Sequence, residues 1–209
     1  MVSKEKPRKV YWLGDNLYLN ITNKCSNRCI FCIRKFKNGV ANFNLRLDKE
    51  PSVAAVLSEL KQVLHARNWK EIVFCGFGEP TAKLDCLLSV VRWIRKHHGK
   101  PVEIRVNTNG HGCALNQGRN VAKELKAAGV NKVSVSLNAG DRETYDEICK
   151  PEFADAYTAT LEFIQNSKEE IDTEVTAVTT PEIDLQKIRE TAEKLGVNFR
   201  LREYVPCFW

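Results

Sequence analysis

Nowhere do these 209 residues hold the ~18 consecutive apolar side chains that a membrane-spanning helix requires, so no membrane association is expected. The opening Met-Val-Ser-Lys-Glu-Lys-Pro-Arg-Lys is charged and lacks the apolar centre of a secretory leader, which points to the cytoplasm. Proline (7) and glycine (11) are few, and neither repeats nor low-complexity linkers break the chain. Residues 1–209 therefore read as one domain, long enough to bury a substantial core. No DNA- or RNA-binding motif accompanies the basic clusters at 4–9, 34–37 and 92–100. With a net charge of only +6, these clusters read as solvated surface, and direct nucleic-acid binding is left open.

Cysteine is not scarce, but paired cysteines are. Of eight, Cys75, Cys86, Cys113, Cys149 and Cys207 are scattered without a short spacing. A reducing compartment keeps such thiols free, and clustered cysteines there bind metal more often than they pair. One cluster exists, Cys25-x₃-Cys29-x₂-Cys32, directly after an alternating strand at 17–22. Its missing fourth cysteine is informative. A [4Fe–4S] cluster takes four cysteine ligands, so three leave one iron open to another molecule. A structural zinc would also need a fourth ligand, and none lies near in sequence.

Around this cluster the chain alternates. Residues 10–12 and 17–19 flank Gly-Asp-Asn, a hairpin signal. A basic stretch at 34–46 has no clear period and reads as a loop. Val53, Val56, Leu57, Leu60, Val63 and Leu64 recur at helical spacing, as do Leu84, Leu87, Leu88, Val91 and Ile94. Val121, Leu125 and Ala128 mark a helix stopped by Gly129. Phe153, Tyr157, Leu161 and Ile164 form another stripe, and Leu185, Ile188, Ala192 and Leu195 a last one, ended by Gly196. Strands fall between them at 71–76, 102–107, 132–137, 172–178 and 199–205. Six strands alternating with five helices imply an α/β fold with a mainly parallel sheet, either doubly wound or a partial (β/α)₆ TIM-like barrel.

Several strands choose between the two. Val102, Ile104 and Val106 oppose Glu103, Arg105 and Asn107; Val133, Val135 and Leu137 oppose Ser134, Ser136 and Asn138. Phe199 and Leu201 oppose Arg200, Arg202 and Tyr204, and Leu17, Leu19 and Ile21 oppose Tyr18, Asn20 and Thr22. Doubly covered parallel strands read as continuous apolar runs instead. A curved sheet with helices on one face and a polar, ligand-holding lumen on the other is expected. The chemical motifs all follow strands, where parallel β/α folds place their sites: the cysteines, Gly76–Pro80, 107–110 and 136–140.

The cysteine triplet, with Phe31 just before its last member, resembles the signature of the radical S-adenosylmethionine (SAM) enzymes. Gly76-Phe77-Gly78-Glu79-Pro80 resembles their GGE motif, with Phe77 where the family carries glycine. Asn20-Ile-Thr-Asn-Lys-Cys25, 74–81, Asn107-Thr-Asn-Gly110, Ser134-Val-Ser-Leu-Asn-Ala139 and 198–204 together look like the TatD-associated subgroup, small partners of TatD-type metal-dependent nucleases. The resemblance spans about residues 10–205. It implies a [4Fe–4S] cluster on Cys25, Cys29 and Cys32, with SAM chelated to the open iron by its amine and carboxylate. Reductive cleavage of SAM then gives a 5′-deoxyadenosyl radical that abstracts hydrogen from a substrate. By the same resemblance Glu79 accepts from the SAM amine and Gly78 permits close backbone approach. Phe31 packs near adenine, Ser136 and Asn138 contact ribose or carboxylate, and Asn107 completes the cradle.

Arg105, Cys149, Arg200, Arg202 and Tyr204 are the substrate-facing candidates; three arginines on one face suggest an anionic substrate group. Taken singly, each arginine reads as salt-bridged to Glu103 or Glu174, and Cys149 as a buried or incidental thiol. Expected partners are a flavodoxin- or ferredoxin-type electron donor and a TatD-type nuclease. Within the class, a glycyl-radical-enzyme activase or a 7-carboxy-7-deazaguanine synthase-like enzyme is the alternative. Outside it stands a non-catalytic zinc or Fe–S module docked on a nuclease.

Overall fold

The computed structural model describes residues 6–203. Strands β1 (Val10–Leu13) and β2 (Asn16–Leu19) pair antiparallel as the expected hairpin. A separate two-stranded hairpin follows, β3 (Gly39–Val40) with β4 (Phe43–Asn44), inside the stretch that reads as loop. Then come α1 (Val53–Val63), β5 (Glu71–Phe74), α2 (Leu84–His97), β6 (Glu103–Thr108), the single turn α3 (Gly112–Leu115) and α4 (Val121–Ala128). The chain continues through β7 (Lys132–Ser136), α5 (Arg142–Cys149), α6 (Ala156–Lys168), β8 (Asp172–Val178), α7 (Leu185–Leu195) and β9 (Asn198–Arg202). The expected glycine stops hold: Gly129 (φ +106°) and Gly196 (φ +67°) adopt the left-handed conformation that ends α4 and α7.

Seven strands form one sheet in the order β1-β2-β5-β6-β7-β8-β9, parallel at every step after β1–β2. The six parallel strands run in chain order, so each crossover advances the chain by one strand. The sheet is mainly parallel, curved and open, since β1 and β9 each pair on one side only. Its apolar face meets the helices: Leu17, Ile72, Ile104, Val133 and Val175 share one fully buried core with Val56, Leu87, Leu125, Phe163 and Ile188. Transfer of such side chains from water supplies about 1.5–3 kcal/mol each, which is what the alternation in the strands is for.

The opposite, inner face carries Glu71, Arg105, Asn107, Ser134, Ser136, Glu174, Arg200 and Arg202. Register sets Asn107 beside Ser134, Ser134 beside Glu174, and Arg202 beside Val178. One part departs from the expected polar wall. Beside β1 and β2 the inner face is an aromatic plug in which Tyr11 stacks on Tyr18 (5.0 Å between centroids) and the β3–β4 hairpin lays Phe43 against Tyr11 and Trp12. Phe77 is buried in the same plug with Leu45, under the Arg46 guanidinium. This explains the phenylalanine in the glycine-rich turn: it fills a satellite core. Tyr18 therefore lines packed protein and not the lumen.

Candidate active site

The cysteine loop leaves β2 and is tied to the fold at both ends. Asn20 donates from Nδ2 to the carbonyls of Arg8 (3.0 Å) and Leu45 (2.7 Å), and its Oδ1 accepts from Phe77 N–H (3.3 Å). Lys24 carbonyl accepts from Glu79 N–H at 2.7 Å. Downstream, Arg28 N–H donates to Cys149 O and Ile30 N–H to Ile148 O, both at 2.9 Å, while Glu152 N–H donates to Ser26 O at 2.9 Å. The loop thus hangs between the end of β5 and the C-terminus of α5. In such a short segment these backbone bonds, not local propensity, hold three thiols near one another.

Gly78 belongs to this anchorage. A Cβ there would lie 2.4 Å from Lys24 O and 2.6 Å from Thr22 O, so the close approach it permits is to the cysteine loop's own backbone. Backbone oxygens cannot swing aside as a side chain can. Gly78→Ala is expected to destabilise the chain by about 1–3 kcal/mol through overpacking, read as a lower midpoint in chemical unfolding. An unchanged midpoint would mean the loop yields freely.

Glu79 is the tie between the loops. Only 3% exposed, it accepts at Oε1 from Thr81 N–H (2.9 Å), Thr81 Oγ1 (2.7 Å) and Thr108 Oγ1 (2.8 Å), and at Oε2 from Asn109 N–H (2.6 Å). Burial pushes its carboxyl up, and these bonds offset only part of that. Asn109 in turn sends Nδ2 to Ser26 Oγ (2.9 Å) and within 3.9 Å of Cys25 Sγ. Ser26 faces His111 Nδ1 (2.8 Å), and His111 Nε2 faces the Tyr145 hydroxyl (2.9 Å). That hydroxyl also accepts from Asn27 Nδ2 (3.1 Å) and lies 3.3 Å from Thr160 Oγ1. Thr160 gives its proton to Ala156 O, so Tyr145 donates to Thr160, His111 donates from Nε2, and Nδ1 accepts from Ser26. Burial pushes His111 down to about 4, keeping it neutral as this order requires.

The three thiols are free and partly exposed. Burial, then the Glu79 charge, pushes Cys25 up to about 12, and burial pushes Cys32 up as well. A hydrogen bond from Cys149 draws Cys29 down and, with burial, pushes Cys149 up. The protein alone therefore does little to hold Cys25 and Cys32 as thiolates; a bound metal's positive charge does that outright. Among the described residues, no three His, Cys, Asp or Glu side chains gather around one point as a single ion would need. Thiolates that each bind a different iron stand farther apart than thiolates sharing one ion. Three thiols on one loop suit three irons of a [4Fe–4S] cluster and leave the fourth iron open.

Other expected site residues fall as follows. Phe31 is half-buried against the core edge. Asn107 accepts from Arg105 Nη1 (3.0 Å) and engages the Cys75 thiol, and Ser136 Oγ accepts from Arg202 Nη2 (3.0 Å); both are half-buried on the inner face. Asn138, at φ +58°, is 2% exposed; its Oδ1 accepts from Val178 N–H (3.3 Å) and its amide reaches Cys149. It props strand ends and turns its polar atoms into the protein.

The substrate-facing candidates divide. Cys149 is wholly buried against Cys29, beneath the cysteine loop, so it does not face the lumen: the C-terminus of α5 docks there. Arg105 pairs with Glu71 at 2.7 Å, not Glu103. Arg200 pairs with Glu174 at 2.6 Å, as one reading of the sequence has it. Burial raises the Glu174 carboxyl, but the bonds from Arg200 and Ser134 outweigh it and hold it at about 2. Arg202 meets no carboxylate among the described residues. Tyr204 lies outside the described residues. Sequence reasoning missed Asn109, His111, Tyr145 and Thr160, whose spacings carry no metal or catalytic signature. It also missed Cys75, a lumen-side thiol whose parity with Val73 was readable.

A family model for the radical SAM superfamily matches residues 19–195. The chain belongs to the radical SAM superfamily. It is 28% identical over 198 residues to a protein named probable GTP 3′,8-cyclase of Methanocaldococcus jannaschii, covering 91% of this chain and 59% of that one. It is likewise 28% identical over 152 residues to a protein of the same name from Thermococcus kodakarensis, covering 73% and 43%. The chain thus spans about half the length of these curated relatives. Solved structures share the fold: TYW1 with a lysine–pyruvate adduct bound (TM-score 0.65, 17% identity, 92% of this chain, 65% of that one) and methylornithine synthase (TM-score 0.62, 13% identity, 91% and 53%). Members of this superfamily use a [4Fe–4S] cluster and SAM, which favours the cluster over the zinc reading of the three cysteines. No helix among the described residues is long and apolar enough to cross a membrane.

Proposed function

We propose that Cys25, Cys29 and Cys32 ligate the cluster and that this radical SAM enzyme acts on a substrate held on the inner face between β5 and β9. The observation that carries the reading is the position of the three thiols: one loop, pinned at Lys24 to the segment after β5 and at Arg28 to the C-terminus of α5, beside the polar face. When bound, the cluster and SAM supply a one-electron cleavage to methionine and a 5′-deoxyadenosyl radical that abstracts hydrogen.

The chain's own residues do the positioning. Glu79 and Asn109 fix the loop, and Glu79 Oε2, with one donor against three on Oε1, is the oxygen with capacity left for the SAM amine. Phe31, Gly78, Asn107, Ser136 and Asn138 stand along the strand ends; Asn138 acts through backbone geometry. Cys149 S–H donates to a ligand thiolate, a contact of the kind that raises cluster potentials. The Tyr11–Tyr18–Phe43 plug excludes water from one side.

The relatives' name makes GTP the first substrate to assay, ahead of a glycyl-radical protein or a deazaguanine precursor. The motif stretches at 20–25, 74–81, 107–110, 134–139 and 198–204 support the TatD-associated subgroup, and the one-electron chemistry calls for a flavodoxin- or ferredoxin-type donor. Co-elution with a TatD-type nuclease checks that partner. The test of the chemistry is anaerobic reconstitution with iron and sulfide, then reduction with SAM. Release of 5′-deoxyadenosine is expected, and consumption of GTP in the same mixture reads the substrate. Tight zinc binding with no iron cluster and no SAM cleavage would sink the proposal.

A further inference from the structure

Every cation on the inner face has a carboxylate, with one exception. Arg105 pairs with Glu71 at 2.7 Å, Arg200 with Glu174 at 2.6 Å, and Lys132 with Glu174 at 3.2 Å. Arg202, at the end of β9, has none among the described residues. Its side chain crosses β8 to give Nη2–H to Ser136 Oγ at the end of β7 (3.0 Å), a neutral acceptor. Its Nε–H is shut away from solvent without an acceptor. Arg105 Nε is also without one, but Glu71 answers that residue's charge.

A guanidinium cannot escape burial by losing its proton as a lysine does. A partly buried, unanswered positive charge costs stability unless an anion completes it. The position narrows the anion. Burial lowers Arg202, and Cys75, Arg200, Cys29 and Arg105 are among the groups within its electrostatic reach. The guanidinium therefore stands over the lumen between β5 and the cysteine loop, at the end of the sheet where the chemistry takes place. No carboxylate pairs with it there among the described residues. Adjacent N–H groups of an arginine form a planar fork suited to two oxygens of one carboxylate or phosphate.

We propose that Arg202 anchors an oxyanion, a carboxylate or phosphate, of the substrate in the lumen, with Ser136 holding the guanidinium in place. The substrate class is then an anionic small molecule with its reacting C–H a short distance from the anionic group. This rests on the radical SAM reading for the chemistry, but the anchor itself does not depend on it. SAM's own carboxylate is the other source of the same chemistry, and the test separates the two.

Three probes serve: pyrophosphate, GTP and citrate, each titrated into cluster-loaded protein, alongside SAM. At least one is expected to raise the melting temperature of the parent by roughly 5–10 °C at about 100-fold excess over Kd. Arg202→Met should weaken that probe about tenfold or more, hold SAM affinity near the parent's, and melt no lower than the parent without ligand. A melting temperature well below the parent's, with probe binding retained, would make Arg202 a structural residue. Loss of SAM affinity with probe affinity kept would give the guanidinium to SAM. Failure of all three probes to bind the parent would also overturn the proposal. Should Arg202→Met not fold, Arg202→Lys keeps the charge without the fork and carries the same comparison. Release of 5′-deoxyadenosine without any probe is judged separately, so the radical SAM reading stands or falls on its own.

Discussion

Alanine at Cys29 is expected to take 5′-deoxyadenosine formation below detection and to remove the brown colour and iron of the reconstituted protein. The reason is coordination. With the proposed ligation no thiol is spare, and a cluster deprived of one protein ligand has two open irons and no defined place for SAM. Cys29 is also the thiol that receives the Cys149 hydrogen bond, so its loss strands that donor in a fully buried site. Cys149→Ala is the control. It opens a small cavity under α5, costing about 1–2 kcal/mol, yet leaves the three ligands, so iron content should persist while the cluster's potential falls. If Cys29→Ala kept full iron and sulfide and still cleaved SAM, the ligand assignment would be wrong. If the two variants lost iron equally, the loop would depend on packing more than on thiolate coordination.

Glutamine at Glu79 is expected to lower the stability of the protein by about 3 kcal/mol, the loss of strong charge-assisted bonds in a buried site. The carboxylate accepts from four donors and donates nothing. A carboxamide puts an NH₂ either against Asn109 N–H or against the Thr81 and Thr108 donors, so either orientation sets donor against donor. Removing a buried charge relieves some desolvation, which is why Glu79 sits above the ordinary carboxylate range. A donor-against-donor clash in a sealed site outweighs that relief. For a chain of this size the melting temperature should fall by about 6–12 °C. Asn109 would lose its anchor and release Ser26 and the approach to Cys25, so cluster loading should fall as well. A variant as stable as the parent would mean that Glu79 serves a ligand and not the loops.

Much of this was legible because strand alternation and helical spacing are local properties. The apolar residues of β6 and β7 could be assigned to the helix side from period alone, and Gly129 and Gly196 mark helix ends because left-handed backbone suits glycine. Position along the strands also placed the motifs at one end of the sheet. The Asn107 and Ser136 assignments came from the resemblance; in the structure the two side chains share the polar face of their strands and accept from Arg105 and Arg202. Parity says nothing about what covers a face, however. Tyr18 alternates like a lumen residue, yet β3–β4 folds back over it, because Phe43 and Phe77 complete an aromatic cluster assembled from four separate segments.

Sequence by itself determined the kind of site: three cysteines at fixed spacing after a strand, where coordination chemistry limits what they bind. It also determined the mainly parallel α/β sheet, since alternating strands and amphipathic helices leave few other arrangements. Only the tertiary structure decided which polar groups are spent on the protein itself. Glu79 joins loops far apart in sequence, Asn138 is spent on strand ends, and Cys149 lies under Cys29 because α5 ends against the cysteine loop. Arg105 and Arg200 are answered by Glu71 and Glu174, while Arg202 is left with Ser136. Charge pairing depends on which strands are neighbours and how far a long side chain reaches across them, and neither distance is written in the order of residues along the chain.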